Sequence, residues 1–214
     1  MWNLKRFRSA MGKHVCVLPH CLTVLLATEG CSGPSVDLPR MNPRVAGRKA
    51  MELYDSDRDG VIEGSEFEQC PGLKAALPTV DTDADEQVTA EEIKIRLKAH
   101  RDSGLALAEI NCVVTLDGNP LPNAAIQFVP EEYLGNGISI ARGTTNSRGT
   151  ARLAIEGQEL PGINCGFYRV EISKLNERGN ETLPMRYNVS TILGQEVSQR
   201  IPAEGVAHFR LTKN

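Results

Sequence analysis

The sequence predicts a multidomain chain in which a small all-α unit precedes an all-β sandwich. Three observations predict this. Between residues 46 and 100 apolar residues recur at helical spacing, whereas from residue 105 onward they alternate with period two. The charge changes at the same place: residues 46–100 hold seven Lys/Arg against thirteen Asp/Glu, a net of −6, and residues 105–214 hold ten against eleven, a net of −1. An acidic stretch of twelve residues starting at Asp55 also recurs 26 residues later at Asp81, with similar apolar residues ahead of it. With 214 residues the chain has room for one large domain or two small ones. A hydrophobic content of 41% with 24% charged residues fits a soluble globular protein. A net charge of −3, with no basic stripe interleaved with aromatics, argues against a nucleic-acid partner.

Residues 1–45 come first and carry no domain pattern. Lys5, Arg6, Arg8 and Lys13 form a basic leader, followed by a mostly apolar run of thirteen residues from Val15 to Ala27. A helix needs roughly 20 residues to cross a bilayer, so this run is too short to span one. A basic segment before a short apolar one reads as a secretory signal. Thr28-Glu29-Gly30-Cys31 then puts a small residue directly before a cysteine. This resembles a bacterial lipoprotein signal. The resemblance implies a signal peptide over residues 1–30, cleavage after Gly30, and a lipid on Cys31 that anchors an exported protein to the membrane of the cell envelope. An ordinary secretory signal is the alternative. Residues 31–45 carry three prolines and no apolar period, and read as a flexible tether.

The acidic unit, residues 46–100, is organised around DSDRDGVIEGSE, Asp55 to Glu66. Oxygen-bearing side chains fall at its first, third, fifth, ninth and twelfth positions, and Gly60 is sixth. A hard cation such as Ca²⁺ takes six to eight oxygens at about 2.3–2.6 Å, and alternating aspartates aim several carboxylates at one point. Glycine supplies the positive φ of the turn at no steric cost. The stretch is similar to an EF-hand loop. The resemblance implies Asp55, Asp57 and Asp59 as side-chain ligands, Val61 through its carbonyl, Glu63 directly or through water, and Glu66 as a bidentate ligand. Asp81 to Glu92 repeats the pattern, with Asp81, Asp83, Asp85, Thr89 and Glu92 at the ligand positions and Gln87 offering a carbonyl. Its sixth position is Glu86, and a non-glycine residue there costs about 1–3 kcal/mol. This loop is therefore expected to bind more weakly. Ile62 and Val88 occupy the eighth positions, where the family pairs its two loops. Gly47, Ala50, Met51 and Tyr54 precede the first loop at the offsets at which Leu73, Ala76, Leu77 and Val80 precede the second. Two amphipathic helices therefore lead into two loops, and Cys70-Pro71-Gly72 ends one half and starts the next.

Residues 105–214 alternate. Ile110, Cys112, Val114 and Leu116 give one strand, and Ala124, Ile126 and Phe128 another after the Asp117–Pro120 turn. Residues 139–144 and 151–155 flank a turn, Gly166 to Ile172 alternate, and Val206 to Leu211 close the chain. Six or seven short strands separated by Gly, Pro and Asn turns imply a β-sandwich. VTLDGNPLPNAAIQFVP, GTTNSRGTARL and GFYRVEI resemble, in that order, the transthyretin-like, carboxypeptidase-regulatory-like sandwich. The resemblance implies a fold and no particular chemistry. Residues 131–137 and 175–183 are the best candidates for binding loops, with plain long hairpin connections as the alternative.

No HExxH, GxSxG, P-loop or CxxC motif occurs, so no catalytic residue is assigned. Outside the leader, Cys70, Cys112 and Cys165 are an odd number. Cys112 and Cys165 could join as a disulfide, or Cys112 could be a buried apolar residue. Together these readings predict an exported, membrane-anchored, Ca²⁺-binding, non-enzymatic lipoprotein with a structural or binding role. Its alternative is a Ca²⁺-dependent adaptor that docks an envelope protein or a carbohydrate.

Overall fold

The first helix, α1 (Pro43–Tyr54), is capped by Asn42, whose side chain accepts from the Val45 amide at 3.2 Å, and it opens on a proline, which the first helical position favours. The computed structural model describes residues 36–213. The signal peptide expected over 1–30, Cys31 and the first residues of the tether lie outside that span. The end of the expected tether is not free of structure: Met41 is buried and α1 begins inside it. Ala46, Gly47, Ala50 and Tyr54 form the buried stripe of α1.

A short strand β1 (Val61–Ile62) lies within the first acidic loop, and a 3₁₀ turn (Gly64–Gln69) and α2 (Pro71–Val80) follow it. The second loop leads to β2 (Val88–Thr89) and α3 (Ala90–Asp102). β1 and β2 pair antiparallel, with Val61 opposite Thr89 and Ile62 opposite Val88. Leu73, Ala76 and Val80 bury one side of α2, while Ile93, Leu97 and His100 bury one side of α3.

The rest of the chain is mainly strand: β3 (Asn111–Leu116), β4 (Asn119–Pro120), β5 (Ala125–Pro130), β6 (Ala141–Thr144), β7 (Thr150–Arg152), β8 (Ala154–Ile155), β9 (Gly166–Ser173), β10 (Gly194–Val197) and β11 (Val206–Leu211). One sheet runs β10-β9-β5-β6-β8. The other runs β11-β3-β4, with β7 also paired to β3 and β11 parallel to it. Phe128 of β5 meets Phe209 of β11 edge-on at 6.1 Å, so the two sheets share apolar side chains. Helices and sheets are thus both present, as the change of apolar period predicts. Cys70, Cys112 and Cys165 are all buried and free, so the disulfide alternative does not hold and Cys112 is an apolar core residue.

β9 departs from simple alternation. Tyr168, Val170 and Ile172 are buried as period two requires, but Phe167 on the opposite face is fully buried too. The reason is that α2 covers this face. A strand covered on both sides carries apolar residues on both. The approach is close: a Cβ on Gly194 would overlap the Pro71 carbonyl, and one on Gly72 would come within 2.8 Å of the Tyr168 backbone. A row of rings follows the same seam. Tyr54 meets Tyr133 at 6.1 Å, Tyr133 meets Phe167 at 6.3 Å, and Phe167 meets the His100 imidazole at 5.4 Å.

Two carboxylates from the strand region are buried in this seam, each 2% exposed. Glu131, just after β5, accepts from the Gly72 amide at 2.6 Å and from the Tyr54 hydroxyl at 3.5 Å. It therefore supplies a remote carboxylate to the N-terminus of α2, where negative charge is favoured. Glu196 of β10 is held by Arg96 Nε at 2.6 Å, His100 Nε2 at 2.7 Å and the Thr79 hydroxyl. In the stretch 131–137, Glu131, Tyr133 and Leu134 are buried in this packing, whereas Glu132, Gly135 and Asn136 are exposed.

Burial pushes the Glu131 carboxyl up to about 7, against the Gly72 amide, Arg169 and Tyr54, which favour the anion. The folded chain thus keeps a proton between about pH 4.5 and 7 that the unfolded chain releases. This group favours folding fully below that window and loses its contribution as pH rises through it, a change of about 3 kcal/mol. Glu131→Gln keeps an acceptor for Gly72 but cannot ionise. Urea denaturation at pH 4.5 and pH 8 is expected to show the variant gaining about that much stability relative to the parent. Parallel profiles for the two proteins would contradict the buried, unpaired anion.

Candidate metal centre

Asp55 is delivered by α1: its amide still bonds to the Met51 carbonyl at 3.1 Å, and the loop starts as the helix stops. The loop then closes on its own aspartates. Asp55 Oδ2 accepts from the Gly60 amide at 3.1 Å, Asp57 Oδ1 from the Asp59 amide at 3.2 Å, and Asp59 Oδ1 from the Val61 amide at 3.0 Å. These bonds turn the three carboxylates towards one another, with one oxygen of each within 4.8 Å of the others. Asp55 Oδ1 is buried and has no hydrogen-bond partner among the described residues. A buried carboxylate oxygen with no donor is costly unless something cationic satisfies it. The donor set consists entirely of hard oxygens, which suits Ca²⁺ or Mg²⁺ and not a soft metal.

Glu63 and Glu66 stand outside this group of three. Glu66 accepts at Oε1 from the Ser56 amide and hydroxyl, at 2.6 and 2.7 Å, and at Oε2 from the Glu63 amide at 3.1 Å. Desolvation would raise its pKa, but these donors win and hold it below the usual carboxylate range, so it stays an anion. A carboxylate has about four acceptor positions, and three are used here, so bidentate binding requires Oε1 to share with or leave Ser56. Val61 is half-buried in β1, paired across to Thr89.

The second loop repeats the construction. Asp81 accepts from the Ala84 and Glu86 amides at 2.7 and 2.9 Å, and Asp85 from the Gln87 amide at 2.9 Å. Asp81, Asp83 and Asp85 form a second group within 4.8 Å. Repulsion from Asp85 is the main reason the Asp83 pKa is raised, with desolvation, Glu92 and Asp81 adding to it. Asp81 moves the other way: desolvation acts against ionisation, but the Glu86 and Ala84 amides outweigh it. Glu92 lies outside the triad, like Glu66. It accepts at Oε1 from the Thr82 amide at 2.9 Å and at Oε2 from the amide and hydroxyl of Thr89, both at 2.9 Å.

No protein-family model, curated protein or solved structure matches this chain.

The site therefore rests on its own geometry, which has one internal control. The two loops share their positive-φ positions: Arg58 at 64° and Gly60 at 97° in the first, Ala84 at 61° and Glu86 at 65° in the second. Glu86 makes the turn that glycine makes freely, so the strain expected from the sequence is present. Sequence reasoning passed over Ser56 and Thr82. Both are hydroxyl residues at the second loop position, and both donate to the glutamate at the twelfth. Their recurrence in the two repeats was the available signal. Replacing Glu86 with Gly is expected to stabilise the protein by about 1 kcal/mol in urea titrations, by removing left-handed strain from a side chain. A loss of stability would show that the Glu86 side chain itself contributes more than its backbone costs.

Proposed function

We propose that the chain is an exported, membrane-anchored protein whose acidic loops bind Ca²⁺ as an EF-hand pair, beside a transthyretin-like β-sandwich with no catalytic role. The observation that carries this reading is the pair of loops, each bringing three aspartates within 4.8 Å of one another, with β1 and β2 joining them. Asp55, Asp57 and Asp59 would hold the first ion, with Val61, Glu63 and Glu66 completing it. Asp81, Asp83, Asp85, Gln87, Thr89 and Glu92 would serve the second. The ion would supply positive charge to the orphaned Asp55 oxygen and draw the loop closed. Sites outside the cell bind at roughly 10⁻⁴–10⁻³ M, a range that suits a structural ion. Lipidation at Cys31 would keep the protein at the envelope.

A second reading, a Ca²⁺-dependent adaptor, is favoured by one feature. A cleft of about 650 Å³ beside the start of α2 is lined by Phe67, Lys74, Arg169, Val189 and Ile192. Val189 and Ile192 are 80% and 61% exposed, and Met185 nearby in sequence is 64% exposed. An envelope protein or a carbohydrate would dock there.

Terbium titration of the full chain, read through emission sensitised by Tyr54, tests the metal reading. Saturable emission displaced by Ca²⁺ is expected, and none up to millimolar metal would refute it. Glu66→Gln should weaken the first site by about tenfold or more, since a hydrogen bond or ligand contact to a charged group is worth about 1.5–3 kcal/mol. For the anchor, labelled fatty acid should enter the chain in a bacterial host and be lost in Cys31→Ser. Equal labelling of both would remove Cys31 as the acceptor.

A further inference from the structure

Glu131 and Glu196 belong to the strand region, yet among the described residues every hydrogen-bond donor to their carboxylates lies on the helical segment. For Glu131 these are the Gly72 amide and the Tyr54 hydroxyl; for Glu196 they are Thr79, Arg96 and His100. Both side chains are 2% exposed, so water does not replace those partners while the sheet stays packed. We propose that cation occupancy of the acidic loops controls the stability of the β9–β10 edge of the sheet, with Glu131 and Glu196 as the coupling residues.

This rests on the cation reading above and extends it from a local site to regulation of the sheet. The coupling partners are close to the loops in the chain. Tyr54 directly precedes Asp55, Thr79 lies two residues before Asp81, and Arg96 and His100 follow Glu92 on the same helix. There is also little compliance between the two parts. Gly72 and Gly194 let α2 rest on the backbones of β9 and β10, with no layer of side chains between to adjust. If the helices lift away, two buried carboxylates lose all their donors and Phe167 loses its cover. Opening the helices and opening this edge are then one event. A ligand that binds only the closed state lowers the population of the open one by a factor of 1 + [L]/Kd. The amides of the sheet edge should register that factor although they lie outside the loops.

Hydrogen exchange on the full chain tests this, with terbium or calorimetric titration on the same sample to measure Kd for Ca²⁺. At free Ca²⁺ ten times that Kd, the amides of β9 from Phe167 to Ile172 should exchange about tenfold more slowly than without Ca²⁺. The Glu66→Gln chain at the same free Ca²⁺ should show a smaller slowing. Saturable binding with unchanged β9 exchange would overturn this inference and leave the cation site intact. No saturable binding at all would overturn the cation site, and this inference with it.

Discussion

A carboxylate can be taken out of water only where donors wait for it, and two such carboxylates decide how this protein is put together. Glu131 and Glu196 are acids of the strand region, and their donors are helical. Neither half satisfies them alone. Among the described residues Glu131 has no salt-bridge partner within 4 Å, and the nearby Arg169 pairs with Glu171 at 3.4 Å. It depends on the start of α2 and a tyrosine hydroxyl, and burial holds its proton near neutral pH. Glu196 is the better satisfied of the two: Arg96, His100 and Thr79 keep it ionised against strong desolvation. Breaking one side of such an arrangement is expensive, because the remaining charge is left unpaired. The seam therefore acts as a joint, and the helical and strand-rich segments do not behave as beads on a string.

The acidic loops adjoin the helices that make this joint: Tyr54 ends α1 at the first loop, and Thr79 lies near the end of α2 at the second. Their architecture is nearly duplicate: three aspartates drawn together, held by backbone amides at all three in the first loop and at Asp81 and Asp85 in the second, a hydroxyl at the second position, and a glutamate at the twelfth that ties the loop's exit to its entry. The clear difference lies at the sixth position, where Gly60 turns freely and Glu86 turns under strain. The duplication argues for a common purpose, and the difference argues for unequal strength. If the loops take a cation as proposed, the one whose closed form already costs backbone energy would keep less of its binding free energy for affinity.

Much of this was legible in the sequence, for identifiable reasons. Loop carboxylates recur at fixed spacing, and the offsets of Ala50 and Tyr54 recur at Ala76 and Val80, so a local repeat gave away both loops and both helices. Alternation at Ile110–Val114 and at Ala124–Phe128 gave strands whose faces are buried as expected. What was hidden was long-range. Phe167 reads as solvent-facing by period two, and the cover of α2, His100 and Tyr133 makes it core. Glu131 reads as the start of a polar loop, and Glu196 as an ordinary acid in a segment with no clear period. No local pattern reports that Gly72, 59 residues before Glu131, is the donor one of them requires. Within the site, the aspartates converge as the motif implies, whereas Glu66 and Glu92 are occupied as caps, a role the same residue type serves equally well.

The most direct test of the central claim is a crystal structure of the protein grown with millimolar Ca²⁺. The expected result is an ion among Asp55, Asp57 and Asp59, with oxygen distances of about 2.3–2.6 Å and Glu66 turned in to complete the shell. Fully ordered loops with no ion between those aspartates, and Glu66 still bonded to Ser56, would contradict it.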